Sequence, residues 1–137
     1  TLGTYEVRFV VEAEGARLAA QRRSHQDLEL IEQRLEQLRG ALMSSAPAHD
    51  QDWQLHRAIM DATGNMAFVT IFDQLQKEVM RILRAGVDIS RARPPHVLEA
   101  MMGEHDAIVD AIRAQDGDEA ALAMRWHLSQ GRKRLMP

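Results

Sequence analysis

Cysteine is absent from the 137 residues. That excludes disulfides and thiolate ligands, so any metal site must be built from histidine and carboxylates. A cysteine-free chain also suits the cytoplasm, where it is expected to reside. No apolar run approaches 18 residues, so no membrane-spanning helix is expected. No signal-peptide pattern opens the chain. Sustained period-two alternation and Asn-Gly hairpins are both missing, which argues against β-structure. Excess positive charge is missing too: the formal net charge is −3, unsuited to a nucleic-acid grip by this segment alone. Aromatic residues are few, at 4%, and eight methionines are available to fill the core instead.

What is present is helical periodicity. At this length the chain is expected to be one domain, residues 1–137, able to bury roughly two-thirds of its unfolded surface. Thr1 rather than Met, followed by Leu2-Gly3, reads as the linker of a longer protein. Six helices are expected. The first covers residues 4–23, with Val7, Val10, Val11, Leu18 and Ala19 inward, and with Arg8 and Glu12 spaced to pair. Gly15 weakens it by about 1 kcal/mol relative to Ala. The second covers 24–43, capped by Ser24 with Asp27 three residues on. The third covers 50–63 and places Asp52, His56, Ile59, Met60 and Thr63 inward, stopped by Gly64-Asn65. The fourth covers 66–85, with Phe68, Ile71, Phe72, Leu75, Val79, Ile82 and Leu83 inside and Gly86 as its stop, before a loop at 87–93. The fifth covers 94–114, with Val97, Leu98, Met101, Met102, Ile108, Val109 and Ile112 as its stripe. The sixth starts at Asp116 and carries Ala120, Met124, His127, Leu128, Gly131 and Leu135 inward. Of the 17 basic residues 15 are arginine, which suits bidentate pairing with carboxylates.

The chemistry-bearing residues lie on these stripes. His25, His49 and His96 are not forced inward and read as surface residues. His56, His105 and His127 each fall on an apolar stripe, and Asp52 precedes His56 by one turn on the same face. A single inward histidine is ordinarily a hydrogen-bonded core residue. Three of them with a carboxylate, from three helices, would need partners for six ring nitrogens. Either separate core hydrogen bonds or one divalent cation can meet that need.

Tyr5-Glu6-Val7-Arg8, Leu18-Ala19-Ala20, Asp52-x-x-x-His56, Thr63-Gly64-Asn65, Glu104-His105 with Ile108 and Ala111-Ile112, Asp116, and Ala123-Met124 leading to His127-Leu128 together resemble the FCD domain. This is the C-terminal effector-binding domain of FadR-type regulators in the GntR family. The resemblance runs from about Thr4 to Leu135. The sequence departs from the pattern at Leu55, where Phe often precedes the histidine, and at Gly15. It implies an all-α fold, an antiparallel bundle of six to seven helices around a central metal and ligand cavity. It implies Asp52, His56, His105 and His127 as ligands of a divalent ion, zinc or nickel first, with manganese or iron also admitted. Open coordination positions would accept a small carboxylate effector. Arg8 is the first candidate to hold it, Arg81 a weaker one, and Asn65 could orient the pocket edge.

The expected function is therefore effector sensing, not catalysis. Binding would modulate DNA affinity through an N-terminal winged helix-turn-helix domain absent from this chain, in a homodimer. The competing readings are a metal-dependent enzyme on a helical bundle and a metal-free structural or interaction bundle. Against the enzyme, no spare base is evident on the same faces, since Glu104 lies about 100° round the helix from His105.

Overall fold

Helix α1 (Leu2–Arg22) is part of an all-α bundle, packed most extensively on α7 (Gly117–Leu135) and also on α3 (His49–Asp61) and α6 (Pro95–Arg113). The computed structural model describes residues 1–136, and no strand occurs among them. The remaining helices are α2 (His25–Met43), α4 (Met66–Gln74) and α5 (Gln76–Arg91). No helix of the described residues is long and apolar enough to cross a membrane.

The inward face of α1 holds Leu18 and Ala19 as expected, with Val11 packed against the core, but departs from the expectation at Val7 and Val10. Val10 is 72% exposed and Val7 42%, while Tyr5, Arg8, Glu12, Ala16 and Ala19 are buried. The bulky β-branched residues carried the expectation. The deciding feature is small: Ala13, Gly15, Ala16, Ala19 and Ala20 let neighbouring backbones approach, so this face buries area without bulk. Gly15 has a positive role there. A Cβ on it would collide with the Sδ and Cε of the buried Met60, which packs over the helix at that point. Gly117 admits α7 against α1 in the same way, a Cβ there lying 3.2 Å from the Arg17 carbonyl oxygen.

Helix α2 begins as its sequence indicates. Ser24 Oγ accepts from Asp27 N at 3.0 Å and Asp27 Oδ2 accepts from Ser24 N at 2.9 Å. Its leucine stripe is buried at Ile31, Leu35, Leu38 and Leu42. Helix α3 is buried on most of its circumference, and Trp53 stacks on Phe72 of α4 with centroids 4.2 Å apart. Gly64 turns the chain after α3 at φ +67°.

Two boundaries depart from the expectation. The predicted helix over residues 66–85 is broken at Leu75, where the backbone turns as Leu75 N donates to Phe72 O. Its second half then continues through Gly86 to Arg91, so Gly86 is not a stop and residues 87–91 are helical. Val87 and Ser90 extend the buried stripe of Val79, Ile82 and Leu83, and that packing outweighs the glycine's weak propensity. Ile71, expected inside, is 46% exposed because the break ends α4 one turn later.

Candidate metal centre

Asp52 and His56 project from α3, His105 from α6 and His127 from α7, and all four are buried. Each offers one ligand atom, and these atoms all lie within 4.8 Å of one another. The ring centroids of His105 and His127 are 4.1 Å apart, and His56 lies 5.4 Å from His127 and 5.6 Å from His105. The sequence thus singled out four residues from three helices that the fold does bring together.

The outward nitrogen of every ring is engaged. His105 Nδ1 donates to the Met101 carbonyl at 2.9 Å. His127 Nδ1 donates to Glu104 Oε1 at 2.7 Å, and His56 Nδ1 is hydrogen-bonded to Glu12 Oε1. The Nε2 atoms are left for the centre. His105 Nε2 lies 3.1 Å and His56 Nε2 3.2 Å from Asp52 Oδ1, and the His56 atom is buried without an aligned hydrogen-bond partner. Neutral rings donating from Nδ1 would thus turn acceptor lone pairs toward a carboxylate oxygen, an arrangement that demands a cation. Two donors about 2.1 Å from one ion sit roughly 3 Å apart when adjacent and about 4.2 Å apart when opposite. The two separations from Asp52 match the first figure, and the widest spacing in the cluster needs only a small closure. Three imidazoles and one carboxylate fit a borderline divalent ion.

Sequence reasoning expected Glu12 to pair with Arg8, as it does, but placed neither it nor Glu104 at the cluster. Glu12 is fully buried and Glu104 is 7% exposed. Glu12 Oε2 accepts from Arg8 Nε at 2.5 Å, while Glu104 receives both terminal nitrogens of Arg134 at 2.8 Å. Neither is a spare base, since Glu12 is engaged by Arg8 and His56, and Glu104 by Arg134 and His127. Glu104 does point away from His105, but toward His127. The available signal for Glu12 was the spacing of Tyr5, Arg8, Glu12, Ala16 and Ala19.

Burial alone would raise both acids, but Arg8 and His56 hold Glu12 at about 2, and Arg134 and His127 hold Glu104 at about 2. Burial would lower His56, yet Glu12 and Asp52 outweigh it and raise the ring to about 9. His127 is pushed down to about 4 by burial and by His105, with Glu104 offsetting part of the drop. In the metal-free protein a proton on His56 thus supplies the positive charge that the centre demands.

The sign of the pH dependence follows. A raised His56 stabilises the fold fully below its ordinary 6.5, and this is lost as pH climbs through about 9. A lowered His127 stabilises the fold above 6.5, and this is lost as pH falls toward about 4. The chelator-treated protein is expected to melt at its highest temperature near neutral-to-slightly-acidic pH and to lose stability between pH 6.5 and 9. Melting curves across that range check it, and an unchanged midpoint would contradict a charged His56.

A small cavity of about 40 Å³ adjoins the centre, with Asp52 and His127 in its wall. Arg8, Arg134 and Tyr5 line the same cavity, opposite apolar residues that include Leu83 and Met101. Arg8 is 2% exposed, and its Nη2 is buried without a hydrogen-bond partner. The other two effector candidates are elsewhere. Arg81 is 66% exposed and paired with Glu78 on the outer face of α5. Asn65 is the N-cap of α4, its Oδ1 accepting from Ala67 N at 3.0 Å, rather than a cap of α3 or a cavity residue. His25 and His96 are exposed and His49 is half-buried, all apart from the cluster.

The family model for the FCD domain matches residues 4–130. The chain is similar to an Escherichia coli (strain K12) protein named for regulation of an L-lactate dehydrogenase operon, 34% identical over 129 residues, 90% of this chain and 47% of that one. It is similar to the galactonate operon transcriptional repressor of the same organism, 29% identical over 130 residues, 95% of this chain and 55% of that one. The Uxu operon transcriptional regulator of that organism is 31% identical over 138 residues, with 96% and 52% covered. The chain therefore spans about half the length of the relatives it matches. Among solved structures it superposes on Streptococcus agalactiae GntR with a TM-score of 0.81 at 20% identity, covering 96% of this chain and 57% of that one. E. coli McbR/YncC gives a TM-score of 0.77 at 18% identity, covering 97% and 62%.

Proposed function

Because this chain belongs to the FCD domain family of GntR-type transcription regulators, a family of regulatory domains and not of enzymes, we propose that it senses a small organic acid beside a divalent metal ion and so modulates DNA binding. The ion would be held by Asp52, His56, His105 and His127. It would supply a Lewis-acidic seat for one carboxylate oxygen. DNA contact would come from an N-terminal winged helix-turn-helix domain, and the full protein would act as a homodimer on a two-fold operator.

The observation that carries the effector reading is the buried, unpartnered Nη2 of Arg8, a residue lining a cavity whose wall also holds Asp52 and His127. A buried guanidinium donor left without an acceptor is costly, and a ligand oxygen there relieves it. Charge balance points to a single anionic group. Asp52, Glu12 and Glu104 against Arg8 and Arg134 leave one negative charge around neutral imidazoles. A divalent ion would turn that into one positive charge, which one carboxylate neutralises in a site with little water. The names of relatives refer to an L-lactate dehydrogenase operon and a galactonate operon, so short hydroxy acids and sugar acids are the two classes to compare.

The test is thermal melting of the zinc-loaded protein with lactate, pyruvate, galactonate or gluconate. An effector at a hundredfold excess over its Kd is expected to stabilise by about 2.7 kcal/mol. That gain should vanish in the metal-free protein. No shift with any acid, or an equal shift without metal, would sink the proposal.

A further inference from the structure

The outward side of the histidine cluster carries information that the four inward residues do not. We propose that Glu12 and Glu104 are positioning residues of the metal centre, each fixing the tautomer and tilt of one histidine so that its Nε2 faces inward. The inference rests on the metal reading above and goes beyond it, because neither residue is a ligand.

The two devices are built alike from unrelated segments. In each, one carboxylate oxygen takes the Nδ1 of a histidine while an arginine holds the carboxylate. Glu12 joins His56 to Arg8, with the Arg8 Nε contact at 2.5 Å. Glu104 joins His127 at 2.7 Å to Arg134, whose Nη1 and Nη2 both reach it at 2.8 Å. The third histidine has a fixed backbone acceptor, the Met101 carbonyl. A free imidazole exchanges between two tautomers, and only one presents an Nε2 lone pair. A carboxylate on Nδ1 selects that one, orients the ring and strengthens the nitrogen as a donor.

A purely structural ion pair is the rival explanation, and the geometry weighs against it. Burying a carboxylate beside an arginine gives little net stability compared with apolar residues of the same volume. Both acids are nevertheless buried, at 0% and 7% exposure, and each accepts with one oxygen from a histidine of the cluster. That contact serves the rings, not the arginines.

The experiment compares Glu12→Gln and Glu104→Gln with Glu32→Gln, whose carboxylate meets Arg113 at the surface at 3.0 Å. Zinc affinity is measured on the whole chain by competition with a chromophoric chelator, and metal-free stability by urea titration. Both cluster variants are expected to bind zinc about 10- to 100-fold more weakly, with Glu32→Gln unchanged. Arg134 is 12% exposed where Arg8 is 2%, so Glu104→Gln is expected to cost less metal-free stability than Glu12→Gln and to separate affinity from stability. Nitrogen-15 spectra of the zinc-loaded wild type should show protected Nδ1–H signals for His56 and His127. The His127 signal should be lost in Glu104→Ala. Affinities within about threefold of wild type in the cluster variants would overturn the inference while leaving the metal reading intact. So would an affinity loss that only tracks metal-free stability. Zinc binding absent from the wild type would overturn both. If Glu12→Gln does not fold, Glu104→Gln decides alone.

Discussion

Replacing His105 by alanine is expected to strip the protein of its divalent ion. Purified wild type exposed to zinc under non-chelating conditions should carry about one ion per chain by elemental mass spectrometry, as a single four-donor site requires. The variant should carry almost none. His105 is the ring that closes the cluster: its Nε2 lies 3.1 Å from Asp52, and its centroid is 4.1 Å from that of His127. Without it the His-Asp pair on α3 and His127 remain, one donor short of the four, and the buried Asp52 loses its nearest imidazole. Binding and stability are linked. At a thousandfold excess of metal over Kd the wild type gains about 4.1 kcal/mol, roughly 14 °C in Tm for a chain of this size. The variant should show no metal-dependent shift at all. His25→Ala and His96→Ala, at exposed positions, should behave as wild type. Wild-type metal content in His105→Ala would remove the proposed centre.

The second large effect is expected at Arg8, and it concerns the fold. Arg8→Ala should destabilise the metal-free protein by about 3–5 kcal/mol, because it leaves the Glu12 carboxylate buried without its guanidinium. The two side chains are 2% and 0% exposed. A solvent-exposed pair at the same i,i+4 spacing would be worth less than about 1 kcal/mol. Urea titration distinguishes the two cases directly. Combining Arg8→Met with Glu12→Gln should restore much of the loss, since neither charge is then stranded. A cost below about 1 kcal/mol for Arg8→Ala would mean that water reaches Glu12 and that the pair behaves as a surface pair.

The contrast between His56 and Glu12 explains what was legible. His56, His105 and His127 could be read from periodicity because each interrupts a stripe of apolar neighbours on its own helix. Glu12 gave a weaker signal, because its stripe consists of alanine, glycine, tyrosine and arginine, and its burial is decided by partners on other helices. Val7 and Val10 drew the reading to the wrong face of α1 for the same reason. Arg81 shows the limit in the opposite direction: spacing alone does not tell a cavity arginine from one paired with Glu78 in water. The break at Leu75 carries no glycine or proline to announce it. Gly86 did resemble a stop, and only the burial of Val87 and Ser90 beyond it shows that the helix continues. Asn65 was placed in the right turn but assigned to the wrong helix end. The helical class and the bundle architecture survived these errors because the apolar stripes of α2, α3, α6 and α7 are unambiguous.

The extensive packing of α1 against α7 has a consequence for how the chain is made. Most of the sequence lies between these two helices, so their contacts are among the most non-local in the molecule. During synthesis α1 emerges early, with two charged residues on its inner face and valines on its outer one, and has little reason to hold a helix by itself. It must wait for α7 before Glu12 and Arg8 can be enclosed, and His127 arrives with that same helix. Core assembly and completion of the histidine cluster are thus expected to be one late event, because the fourth residue, His127, arrives only with α7.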